Sequence, residues 1–133
     1  MKPRVHHVGV VVASLERTGE FVRDVMGLDL ALEPPPLPDG VKTAFYSSEG
    51  ARVELIEIPD AQARAKRLGE GEGRVEHIAL EVDDVHAWMA RLREKGVRFT
   101  TDEPVRVREN EAVWTLPETS AGFVWQLFSR AKT

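Results

Sequence analysis

The sequence contains no cysteine, which excludes disulfide cross-links, thiolate metal sites and thiol nucleophiles and suits a reducing compartment. Long hydrophobic runs are also missing. The longest near the start, Val8 to Ala13, has a glycine inside it and is too short to cross a bilayer or to form the core of an export signal. The expected location is therefore the cytoplasm, with no membrane partner. Nor is there a surplus of positive charge. The 18 Lys and Arg face 22 Asp and Glu for a net charge of −4, with the basic residues scattered among acids, so non-specific nucleic-acid binding is not expected. What is present is ordinary for a soluble globular protein: 133 residues, 42% hydrophobic and 30% charged, enough for one compact domain or two small fused modules.

The opening segment Arg4 to Val12 is β-branched and nearly continuous, which reads as a strand buried on both faces. Ser14 then caps a helix with apolar positions at Leu15, Thr18, Phe21, Val22, Val25 and Met26, and Gly27 terminates it. Leu28 to Leu32 reads as a short strand, and the prolines between Glu33 and Gly40 enforce a loop. Val41 to Ser48 and Ala51 to Ile58 read as two strands joined by a tight turn at Glu49-Gly50. The first unit is thus ordered β-α-β-β-β. A polar helix from Asp60 to Leu68 and a glycine-rich acidic linker, Gly69 to Gly73, follow. The pattern then restarts: strand Arg74 to Val82, cap Asp84, a helix striped by Val85, Trp88, Met89 and Leu92, and a stop at Gly96. Val97 to Thr100, Val105 to Arg108, Ala112 to Leu116 and Gly122 to Phe128 supply the later strands.

Sliding the chain by 70 pairs Arg4 with Arg74, Val5 with Val75, His7 with His77, Val8 with Ile78 and Val12 with Val82. Small changes of offset then pair Phe45 with Trp114, Val53 with Trp125, Glu54 with Gln126 and Leu55 with Leu127. The chain reads as two copies of one unit, a module at 1–58 and a module at 74–133 joined by a linker at 59–73. Polar residues have no reason to respect such a repeat unless they act together. Side chains alternate along strands, and pseudo-twofold symmetry would bring His7, His77, Glu54 and Gln126 to a common point. Two imidazoles, a carboxylate and an amide oxygen suit a first-row divalent ion: Ni, Co, Mn, Zn or Fe. Phe45 and Trp114 are candidates to line a substrate pocket, with core packing as the alternative. Arg52 is a candidate for an anionic substrate group, with a solvated surface role as the alternative.

The segments His-His-Val-Gly-Val (6–10), Val-Glu-Leu-Ile-Glu-Ile-Pro (53–59), Glu-His-Ile-Ala-Leu-Glu-Val-Asp-Asp (76–84), Leu-Arg-Glu-Lys-Gly-Val (92–97) and Gly-Phe-Val-Trp-Gln-Leu (122–127) resemble the vicinal oxygen chelate superfamily of glyoxalases, bleomycin-resistance proteins and dioxygenases. The likeness is nearest to the methylmalonyl-CoA epimerase branch. It implies an α+β fold of two βαβββ modules, their mixed sheet curled around a central cleft, in a homodimer. It also implies a divalent-metal enzyme, glyoxalase-like or epimerase-like, that moves a proton alpha to a carbonyl through a metal-bound enolate of a small anionic substrate. The implied metal ligands are His7, Glu54, His77 and Gln126, with Glu54 and Gln126 at the catalytic positions. Two departures stand out. The last strand supplies Gln126 where the epimerases have a glutamate, and an amide is a poor proton acceptor near neutral pH. The loop before Val41 reads Leu37-Pro38-Asp39 where they carry another catalytic glutamate, leaving Asp39 as a displaced substitute. A binding protein that transforms nothing is the alternative, and a ferrous dioxygenase using His7, His77 and Glu54 the third.

Overall fold

The computed structural model describes residues 2–132. Strand β1 (Arg4–Val12) leads to helix α1 (Leu15–Glu20), a π-helical turn (Phe21–Val25) and strands β2 (Asp29–Leu32), β3 (Lys42–Ser47) and β4 (Arg52–Glu57). Helix α2 (Ala61–Arg67) precedes β5 (Gly73–Glu81), α3 (Val85–Glu94), β6 (Val105–Val107), β7 (Asn110–Trp114), a 3-10 turn (Pro117–Thr119) and β8 (Val124–Arg130). The class is α+β with the βαβββ order repeated. Contacts separate the described residues into a first unit, 7–76, and a second, 2–6 with 77–132.

In the first unit the strand order is β2-β3-β4-β1. β1 runs parallel to β4, and β3 is antiparallel to both β2 and β4. One sheet face is covered by α1. Val12, Ala44, Tyr46 and Leu55 pack there with Leu15, Val22 and Leu28. The opposite face carries Val11, Val41, Ile56 and Ile58 against Leu68, with Leu37 and Ala63 closing the end. Ser14 caps α1 by accepting from the Arg17 amide at 3.0 Å, and Asp60 caps α2 by accepting from the Ala63 amide at 2.8 Å. These caps satisfy helix-end donors that would otherwise need water.

The second unit repeats this plan in the order β5-β8-β7-β6. Val85 and Met89 of α3 pack on Val82, Val113 and Leu127, with Trp88, Leu92 and Phe99 around them. Ala79, Ala112 and Phe128 form the other face with Val107 and Trp114. The Asp84 carboxylate accepts from the His86 and Ala87 amides, and the Ser129 hydroxyl accepts from the Val85 amide at 2.9 Å. At the start of β1, Arg4 pairs with Glu81 and the His6 ring meets Phe128 edge-on.

Two expectations need correction. Phe21, Val25 and Met26 do not line the covered face of the first helix; they are 53%, 67% and 63% exposed. The Met26 amide bonds to the Phe21 carbonyl five residues back, and this wider turn rotates later side chains off the helical stripe. Val97 to Thr100 is not a strand either. Only Phe99 bridges to Thr115, because the Phe99 side chain is drawn onto the α3 core and the chain turns away at Thr101, whose hydroxyl bonds to the Glu103 carbonyl.

Candidate active site

In the first unit, parallel pairing sets His7 opposite Arg52 and Gly9 opposite Glu54, so His7, Arg52 and Glu54 share the face turned away from α1. Antiparallel pairing adds Phe45 directly across from Glu54. His7 is 5% exposed, and its Nε2 lies 3.2 Å from Glu54 Oε1. The Phe45 ring, itself 9% exposed, stands edge-on to the imidazole at 5.3 Å, which fixes the ring plane. Arg52 and Glu54 are half-buried.

The second unit holds the counterparts in the same registers. His77 sits opposite Val124 and Ala79 opposite Gln126, while Trp114 lies across from Gln126. His77 and Gln126 therefore share one face of neighbouring strands, again the face away from the helix. His77 is 5% exposed, and Trp114 and Gln126 are half-buried. Along the inner strands the pairings inferred from the repeat recur in the hydrogen-bond register: Phe45 with Glu54 corresponds to Trp114 with Gln126, and Val10 with Leu55 corresponds to Leu80 with Leu127.

The donors fit a first-row divalent ion in kind and in spacing. Two ligand atoms each about 2.1 Å from one ion, at octahedral to tetrahedral angles, lie about 3.0–3.4 Å apart, which is where His7 Nε2 and Glu54 Oε1 are found at 3.2 Å. An imidazole and a carboxylate buried together are also the nitrogen–oxygen donor type that such ions select.

Two residues, Arg67 and Thr43, escaped the sequence reading. Arg67, in the last turn of α2, forks onto Glu76 at 2.7 and 2.8 Å. That pairing holds its guanidinium above the usual arginine range, with Glu54 and Asp39 adding smaller attractions, so a cation stands near the Glu54 carboxylate. A lone arginine in a polar helix gives no sequence signal of this. Thr43, two residues before Phe45 on the same face, is 4% exposed with its hydroxyl buried and without a hydrogen-bond partner among the described residues. Asp39 is exposed, and its Oδ1 accepts from the Val41 amide at 3.1 Å. Its carboxylate thus shapes the loop. His86 is also exposed and pairs with Glu111 at 2.8 Å.

The sequence profile of the Glyoxalase/Bleomycin resistance protein/Dioxygenase superfamily matches residues 6–114. The chain belongs to this superfamily. Among the superfamily's curated members, it is 32% identical to the mitochondrial methylmalonyl-CoA epimerase of Mus musculus over 103 residues, 75% of this chain and 57% of that protein. The chain spans a little over half the length of the mammalian relatives it matches. Among solved structures, methylmalonyl-CoA epimerase from Mycobacterium tuberculosis is similar with a TM-score of 0.84 at 26% identity, covering 97% of this chain and 89% of that one. A variant of the Streptomyces coelicolor methylmalonyl-CoA epimerase, in complex with 2-nitronate-propionyl-CoA, gives 0.82 at 29% identity and covers 97% and 98%. The glyoxalase-like fold is thereby shared along nearly the whole chain. Among the described residues no helix is long and apolar enough to cross a membrane.

Proposed function

We propose that the protein is a divalent-metal enzyme that moves a proton alpha to the carbonyl of a small anionic acyl thioester, with His7, Glu54, His77 and Gln126 holding the ion. Bound there, the ion supplies a Lewis acid that polarises the substrate carbonyl and stabilises the charge left when the proton departs. Glu54 takes the proton. It is the one carboxylate among the four, and it stands on a buried face beside His7 at 3.2 Å. Phe45 holds the His7 ring edge-on, and Arg52 offers a cation to the substrate's anionic groups. Gln126 positions without accepting a proton, because an amide oxygen is too weak a base.

The observation that carries this reading is the pairing of Glu54 with Gln126 at equivalent registers. With one base, a proton lifted from carbon returns from the same side, or moves to a neighbouring atom as in glyoxalase chemistry. Inversion needs a second base opposite the first. In deuterium oxide with methylmalonyl-CoA and Co, Mn, Ni or Zn, label is expected to enter the carbon alpha to the thioester faster than the configuration inverts. Gln126→Glu should raise inversion relative to exchange. Absence of exchange with every ion, in a protein that binds both ion and thioester, would replace the enzyme by a binding protein. That second reading draws on the same observation, since Gln126 removes a base that the epimerases are expected to carry. Turnover of the methylglyoxal–glutathione hemithioacetal without exchange into methylmalonyl-CoA would move the substrate class to glyoxalase chemistry.

A further inference from the structure

We propose that Thr43 sets the substrate preference of the candidate active site: its hydroxyl hydrogen-bonds a neutral oxygen on the carbon that loses the proton, so that α-hydroxy acyl thioesters are taken in preference to α-methyl ones. This rests on the reaction assigned above to Glu54 and adds the substituent that the substrate carries. Thr43 is 4% exposed, and its Oγ1 is buried without a hydrogen-bond partner among the described residues. A buried hydroxyl left unpaired lowers the stability of a fold, which a valine of nearly the same shape would not do. The position therefore holds a polar atom for which the free chain has no use.

The strand register sets that atom beside the chemistry. β3 and β4 pair Phe45 with Glu54 and Thr43 with Ile56, and residues two apart in a strand point the same way. Thr43 is thus the diagonal neighbour of Glu54 on one face, about 7–8 Å away from backbone to backbone. A carbon in reach of the carboxylate, with an attached oxygen in reach of the hydroxyl, bridges such a spacing. Arg52 lies one step to the other side of Glu54, opposite His7 on β1.

A substrate whose reacting carbon sits over Glu54 then has two ends to place. The Arg52 end is cationic and takes the carboxylate. The Thr43 end is apolar apart from its hydroxyl: Val11, Val41 and Ile56 pack together there, and Phe45 is buried beside it. A carboxylate would lose its hydration among these side chains with no cation in return, whereas a neutral hydroxyl loses less and gains a partner. Threonine can donate to that oxygen or accept from it, because its O–H rotates. A methyl in the same place would leave Thr43 unpaired.

The test is calorimetric titration of the full chain with 2-hydroxymalonyl-CoA and with methylmalonyl-CoA, which differ by a hydroxyl in place of a methyl, and with CoA as control. The wild type is expected to bind the hydroxy thioester about tenfold more tightly. Thr43→Val should bring that ratio to within about twofold and Thr43→Ser should keep it, with CoA bound alike by all three proteins. Thr43→Val should also melt about 2–6 °C higher, since the unpaired hydroxyl is gone. Equal affinity for the two thioesters in the wild type, binding of neither, a preference that survives Thr43→Val, weaker CoA binding in the variants, or a valine variant that melts lower would each overturn the proposal. The wild-type comparison needs no variant to fold. Failure of the reaction reads differently: both thioesters would bind and deuterium would enter neither, which removes the role of Glu54 and leaves the preference to be judged by the titrations.

Discussion

The inner strands of the two units pair in matching register, while the edge strands do not: β2 meets β3 at Phe45–Ser47 through a bulge, and β6 meets β7 at Asn110–Ala112 without one. In the first, His7 and Phe45 surround a carboxylate; in the second, the equivalents His77 and Trp114 share their strand registers with an amide. The helices differ as well. α3 is ten residues long, with Val85 and Met89 fully seated. α1 gives way after six residues to a π turn with Phe21, Val25 and Met26 in solvent. The inner strands thus share their geometry while the side chains on one face and the helix on the other differ. Backbone pairing tolerates no one-residue slip, because a slip turns every side chain to the wrong face. The side chain at a given register is free to change.

The largest expected break of this comparison is Glu54→Gln, which gives both units an amide. Loss of a positioned general base should slow deuterium exchange about 10²–10⁴-fold, measured by mass spectrometry of the recovered thioester. Next are the matched core residues Leu55 and Leu127, 1% and 3% exposed. Leu→Ala at either should cost about 2–5 kcal/mol in urea unfolding. A single transition shifted in both variants would show that the halves unfold together, and two separate transitions would show that they do not. The caps come third. Ser14→Ala should cost about 0.5–2 kcal/mol and raise amide exchange at Arg17.

Acid should separate the two caps without any mutation. Acceptance from the Ala87 amide, helped by Lys132 and the His86 amide, holds the Asp84 carboxyl below the usual carboxylate range. A lowered folded value means that its contribution is complete above the ordinary carboxylate pKa and is lost as pH falls through the lowered one. Between neutral and strongly acidic pH, protection at His86 and Ala87 should fade while protection at Arg17, held by a hydroxyl that does not titrate, persists. The smallest effect is expected for Phe21→Ser, within about 0.5 kcal/mol of wild type, against about 2–5 kcal/mol for Met89→Ala at the buried helix of the other unit.

Much of this was legible before the structure. Hydrophobic alternation, two glycine stops and two caps marked the repeated order, and the recurrence of His7 as His77 and Glu54 as Gln126 marked the sheet faces turned away from the helices. The π turn was not legible, since one wider turn leaves no trace in apolar spacing until the chain is seen to rotate. Phe99 was read as strand because an aromatic that reaches a helix core and one that sits in a ladder look alike in sequence. Arg67 escaped because its fork onto Glu76 and its nearness to Glu54 depend on how α2 lies over the strands.

The units also differ in how their last two strands are joined. Between β3 and β4 the chain reverses through Gly50, in a left-handed conformation and with open space around it. Between β7 and β8 the longer connection is tied down. The Ser120 hydroxyl reaches Thr115 at 2.8 Å and the Leu116 and Phe123 carbonyls, and its own carbonyl accepts from the Trp125 indole at 3.0 Å. A fluorophore, affinity tag or new terminus is therefore better spliced in at Gly50, where no knot of hydroxyls has to be untied to admit it.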